Sequence, residues 1–140
     1  MRRDFEITDG IYLSQPPHQL DLHNNFDFCG LDYSVEDRTL SLHWRCSKGE
    51  WVSAGTPASV SVEFREVSEF RFLPRDAKLP FTEDDCVDAF GYWMDEEWAK
   101  RVITTGPGRT PNPRWLTAIE FMSGAVIAVQ AASAHARIAL

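Results

Sequence analysis

Between Thr39 and Cys46 apolar and polar residues alternate without a break. Leu40, Leu42, Trp44 and Cys46 fall on one side, and Thr39, Ser41, His43 and Arg45 on the other. A period of two is that of a half-buried strand, whose successive side chains leave opposite faces. A turn at Val35-Glu36-Asp37-Arg38 folds the preceding segment back onto it. Ser34 then opposes Thr39, Tyr33 opposes Leu40, Leu31 opposes Leu42 and Cys29 opposes Trp44. One face of this hairpin is apolar and the other carries Gly30, Asp32, Ser41, His43 and Arg45, so a slip of one residue would spoil both faces together.

Ala58 to Arg65 continues the pattern, with Val60, Val62 and Phe64 inward. Beyond it Phe70 and Phe72 keep the parity of Phe64 while Val67 breaks it. Two readings fit: a tight return over Glu66-Val67-Ser68 that opposes Phe64 to Phe70, or one strand with a bulge. Near the C-terminus, Trp115 to Ser133 reads as a hairpin about Ser123-Gly124. It sets Phe121 against Val126, Ile119 against Ala128 and Ala118 against Val129. Both of its faces are apolar, which predicts central strands covered on each side.

The remaining segments carry other signals. Residues 1–25 read as an irregular lead-in, because Pro16-Pro17 fits neither a helix interior nor a central strand. Thr82 followed by Asp85, with Glu83 and Asp84 between, resembles an acidic capping box and predicts a short helix that buries Cys86, Val87, Ala89 and Phe90 and stops at Gly91. A second short helix is expected from Asp95 to Arg101, acidic at its start and basic at its end, before the loop Gly106 to Pro113. The fold class that follows is α+β: a mainly antiparallel β-sheet domain with one or two short helices, spanning 1–140 as a single unit.

The strand segment VSVEFREVSEFRF, the TEDDC segment and the terminal WLTAIEFMSGAVIAVQA hairpin resemble small bacterial proteins of the immunity type that accompany polymorphic toxins, among them the group called immunity protein 50. The likeness spans roughly the last two-thirds of the chain. It implies a non-enzymatic inhibitor that binds a cognate toxin, and it carries over no site residues position by position.

Composition narrows the classes of function. The chain has 140 residues and a formal net charge of −7, a balance that disfavours nucleic acid and anionic lipid as partners and permits a basic protein. No run of about 18 apolar residues is present to span a membrane. The opening MRRDFEITDG turns acidic before a signal-peptide core forms, so the expected location is the cytoplasm. Three cysteines, Cys29, Cys46 and Cys86, lack the paired spacing of a zinc site and read as reduced thiols, with Cys29 on the buried face.

The richest candidate surface is acidic and aromatic. Glu83, Asp84, Asp85, Asp88, Asp95, Glu96 and Glu97 are uninterrupted by any base. Such a patch steers basic partners electrostatically, although helix capping explains the same charges. Trp51, Trp93 and Trp98 lie less readily in the core than Trp44 and Trp115, which makes them candidate interface anchors or lids on the end of the sheet. The partner-binding set is therefore Trp51, Asp84, Asp85, Asp88, Trp93, Asp95, Glu96, Glu97 and Trp98. His18, Asp21 and His23 are ligand types without enforced convergence, so no metal or other cofactor is expected. Cys29 or Cys86 with a histidine makes a nucleophilic pair only on paper, and Gly106-Pro107-Gly108-Arg109 lacks the ending of a phosphate loop. The sequence reads as a non-enzymatic interaction protein. The alternatives are a small-molecule binder whose sheet curves around an apolar, Trp-lined pocket, and a structural subunit of an oligomer.

Overall fold

The first hairpin forms where the alternation places it. In the computed structural model, which describes residues 1–94, 102–105 and 109–140, ten strands follow one another. They are β1 (Arg2–Arg3), β2 (Glu6–Thr8), β3 (Tyr12–Gln15), β4 (His18–Asp21), β5 (Phe26–Ser34), β6 (Thr39–Cys46), β7 (Ser59–Leu73), β8 (Val87–Trp93), β9 (Leu116–Phe121) and β10 (Val126–Ala139). The large sheet runs β5-β6-β7-β10-β9-β8, antiparallel throughout. β7 pairs along one edge of β10. The opposite edge of β10 is shared, with β9 on Val126 to Val129 and β1, in parallel, on Ser133 and Ala134.

The sheet is strongly curled. Between β5 and β9 lie four strand spacings, about 19 Å if the sheet were flat. Yet the Phe28 ring of β5 lies 4.7 Å from Phe121 of β9 and 5.3 Å from Trp44 of β6. The Phe28 N–H also donates to the Asp85 carbonyl just ahead of β8, at 2.8 Å, bringing the two margins of the sheet together. The enclosed face holds Leu40, Leu42, Trp44, Val60, Val62, Phe64, Phe90, Ile119, Phe121 and Ile127, all 3 % exposed or less.

Several expectations are met and several corrected. Ser34, Tyr33 and Leu31 oppose Thr39, Leu40 and Leu42 as read from the sequence. Beyond them an extra residue between Phe28 and Gly30 sets Phe28, rather than Cys29, opposite Trp44. Cys29 is consequently exposed instead of buried. The segment after Arg65 is one long bulged strand, not a tight return: Glu66 takes a positive φ of 53° and Val67 turns inward. In the C-terminal hairpin the loop is three residues long, Met122-Ser123-Gly124, with Gly124 at φ 84°. Glycine in the left-handed third position is what such a loop calls for. It shifts the register by one from the sequence reading, so that Ile127 opposes Ile119 and Ala128 opposes Ala118.

The expected irregular lead-in is itself a sheet, β2-β3-β4. Pro16-Pro17 occupies the turn between β3 and β4 and removes no ladder hydrogen bond, which leaves Leu13, Leu20 and Leu22 free to enter the same core. The capping-box helix does not form. Only a single 3-10 turn, Phe81–Asp84, is present there, without a side-chain cap. Val87 to Gly91 instead extends as part of β8, because pairing with β9 satisfies its backbone and seats Val87 and Phe90 inward; tertiary pairing overrides a local capping signal. Gly91 is therefore a mid-strand residue and not a helix stop. The second expected helix, Asp95 to Arg101, lies outside the described residues.

The outer face of the β9-β10 hairpin is apolar as expected. Leu116, Ala118, Val126 and Ala128 form a second cluster there, with Val102, Trp93 and Leu73 packed on it. Among the described residues no helix is long and apolar enough to cross a membrane.

Candidate functional site

The enclosed face of the sheet does not end where its core ends. Along β8 and β9 the pair Phe90 and Ile119 is followed on the same face by Tyr92 and Thr117, both buried, and here the packing opens into a cleft of about 780 Å³. β1 forms its other wall. Arg3 sits opposite Ala134 in the parallel pairing with β10 and reaches Tyr92, whose hydroxyl oxygen accepts a hydrogen bond from Arg3 Nη1 at 2.6 Å. The guanidinium also stands 5.0 Å from the centre of the Tyr92 ring, a cation–π contact.

Tyr92 is fixed from both sides. β9 pairs with it at Thr117, and its backbone exchanges two hydrogen bonds with Ile103, each 2.8 Å. Gly91 permits that crossing, since a Cβ there would overlap the Ile103 carbonyl. Trp115 tilts against Tyr92 at 6.3 Å. Gln130 donates from Nε2 to the Pro113 carbonyl at 2.8 Å, tying the loop ahead of β9 to the sheet. Phe5 contributes a buried apolar wall, while the exposed Glu6, Asp9 and Arg109 stand at the rim. The volume falls in the range of small-molecule sites, about 300 to 1,000 Å³. Most of its lining residues are polar, with Thr8, Thr104, Thr110, Asn112 and Gln130 around the rings of Phe5, Tyr92 and Trp115.

A second, smaller groove of about 300 Å³ lies between Phe28, Phe72, Phe81 and Phe121. It is more apolar, and two of its charges, Arg75 and Asp84, neutralise each other. Arg75 lies 4.8 Å over the Phe81 ring, donates from Nε to Asp84 at 2.9 Å and from Nη2 to the carbonyls of Leu79 and Pro80.

The sequence-selected residues are scattered around these features. Asp84 lines the smaller groove and is neutralised by Arg75; hydrogen bonds from Arg75 and Ser123 hold its carboxyl below the usual range. Asp85 is half-buried, and burial together with the nearby Asp27 charge pushes its carboxyl upward. Asp88 is exposed on β8. Trp93 packs on the outer cluster of the hairpin. Trp51 is 71 % exposed and donates its indole N–H to the Asn24 carbonyl at 2.8 Å. Asp95, Glu96, Glu97 and Trp98 lie outside the described residues. None of the described members of that set lines the large cleft.

Two further constellations take a definite form. Cys86 Sγ lies 3.7 Å from His23 Nδ1. That nitrogen also meets the Val87 carbonyl at 2.5 Å, and a carbonyl only accepts, so Nδ1 carries its proton and offers the thiol no base. Burial, reinforced by the charge of Asp85, pushes the Cys86 thiol up, away from a thiolate nucleophile. Asp21 is spent on local structure, accepting from the backbone N–H groups of His23 and Asn24.

Sequence reasoning passed over Arg3, Tyr92 and Thr117. The only signal was a basic pair, Arg2-Arg3, opening an otherwise acidic chain; what brings it to Tyr92 is the pairing of Arg2 and Arg3 with Ser133 and Ala134 of β10, near the far end of the sequence and invisible to local pattern. Compared with family models, with curated proteins and with solved structures, the chain gives no match in any of the three.

Proposed function

We propose that the protein is a non-enzymatic binding module whose cleft between β1, β8 and β9 takes a small organic molecule. The observation that carries this reading is the cleft itself: about 780 Å³, walled by the buried Phe5, Tyr92 and Thr117 and by Trp115. Three free cysteines suit a reducing, cytoplasmic setting. The reading is tested by following the indole N–H signals of the five tryptophans while small fragment molecules are added. The Trp115 signal is expected to move in a saturable manner while that of Trp44, in the core, stays still. A Trp115 signal that stays still across the fragments would contradict the cleft.

A second reading, neutralisation of a basic toxin of the kind that accompanies immunity proteins, is favoured by a separate observation. Phe81, Trp51 and Phe72 are 82 %, 71 % and 58 % exposed, and exposed aromatics ringed by polar residues are the usual anchors of protein interfaces. In that reading Asp85 and Asp88 belong to the steering charge beside Phe81. Asp84 does not, since Arg75 cancels it.

A further inference from the structure

We infer that the ligand of the large cleft is an organic anion, a carboxylate with an apolar body, and that Arg3 is the group that recognises it. This rests on the cleft being the binding site. A guanidinium presents five N–H donors in a rigid plane. Among the described residues only Nη1 of Arg3 has a hydrogen-bond partner, the Tyr92 hydroxyl, and its Nε is shielded from water without one.

A chain with this many carboxylates has no shortage of partners for a structural arginine. The other buried-side guanidinium of this kind, Arg75, shows what saturation looks like: a carboxylate, two carbonyls and an aromatic ring. Arg3 has the ring and one hydroxyl and, among the described residues, no carboxylate. Its nearest sequence neighbour of opposite charge, Asp4, is committed elsewhere, to the Ala136 N–H at 2.9 Å.

Because Tyr92 holds Arg3 by both its hydroxyl and its ring face, the guanidinium is fixed before a ligand arrives, and an anion pairing with it loses little side-chain freedom. Charge-assisted bonds to a planar carboxylate are the strongest this donor set makes. The aromatic walls Phe5, Tyr92 and Trp115 suit an apolar body attached to that carboxylate. At the rim the exposed Glu6 and Asp9 stand with the exposed Arg109, so the fixed cation inside the cleft is Arg3.

The test compares benzoate with benzamide, its neutral isostere, by titration calorimetry on the wild type, Arg3→Gln and Tyr92→Phe, each first shown folded by near-ultraviolet circular dichroism. Benzoate is expected to bind the wild type more tightly than benzamide and to weaken about tenfold or more in Arg3→Gln, with benzamide unchanged. Tyr92→Phe keeps the ring and loses the hydroxyl, so it weakens benzoate to a lesser degree and serves as the measurement if Arg3→Gln fails to fold. Equal binding of both probes, or benzoate binding indifferent to both substitutions, overturns the inference and leaves the cleft standing. If neither probe binds, the cleft reading falls with it.

Discussion

Trp44 shows how the core at residue scale is decided by magnitude. Its indole N–H is buried without a hydrogen-bond partner, a cost of about 1 to 3 kcal/mol, but burying the ring offsets that with about 4 to 6 kcal/mol at about 25 cal/mol per Å². Leu42, 1 % exposed beside it, should lose about 2 to 5 kcal/mol on substitution by alanine. Ser41→Ala, on the opposite face, should change stability by no more than about 0.5 kcal/mol; matching denaturation midpoints for the two variants would refute the register. Asp85 gives a pH signature. Burial raises its carboxyl in the folded state, so the folded protein holds that proton more tightly than the unfolded chain. Stability is therefore lost as pH rises from the unfolded pKa through the raised folded one. Asp85→Asn is expected to raise the melting temperature at pH 7, with the gain fading in acid below the usual carboxylate range; a lower melting temperature at pH 7 contradicts the assignment.

At the scale of elements, what was legible in the sequence was whatever a single strand pair determines. The alternation of Leu40, Leu42 and Trp44 predicted β6 and most of its register, and Val60, Val62 and Phe64 predicted the first half of β7. The misreadings share a cause. Cys29 was assigned inward because a bulge is invisible to a period of two, and the C-terminal register slipped by one because Gly124 lengthens the loop to three residues. Residues 82 to 91 carried good helix-start charges, yet β9 offered a backbone edge and an apolar inner face that only the tertiary fold reveals. The Cα carbon shifts of Val87 to Trp93 are expected to be those of a strand, and helical shifts there would refute the account. Gly91→Ala should be strongly destabilising, since its Cβ would collide with the Ile103 backbone. A melting temperature equal to the wild type would remove the Tyr92–Ile103 crossing from the argument.

For the molecule as a whole, the sequence directed attention to an acidic, aromatic surface and the fold directs it to the end of the curled sheet. Charge pattern is local and readable; the meeting of Arg3 with Tyr92, 89 positions apart, depends on the parallel pairing of β1 with β10 and could not be read from spacing. The two functional readings separate experimentally. If the surface steers a basic partner, Asp85→Asn with Asp88→Asn should slow association and flatten its salt dependence, with binding in the cleft untouched; an unchanged on-rate would retire the steering role of these two residues. Whether the cleft is the working site and Arg3 its recognition group is read directly from a crystal structure of the protein soaked in benzoate. The benzoate ring is expected between Phe5, Tyr92 and Trp115 with its carboxylate against the Arg3 guanidinium. Benzoate seated in the Phe28–Phe81 groove, or a cleft left without it at saturating concentration, would contradict the claim.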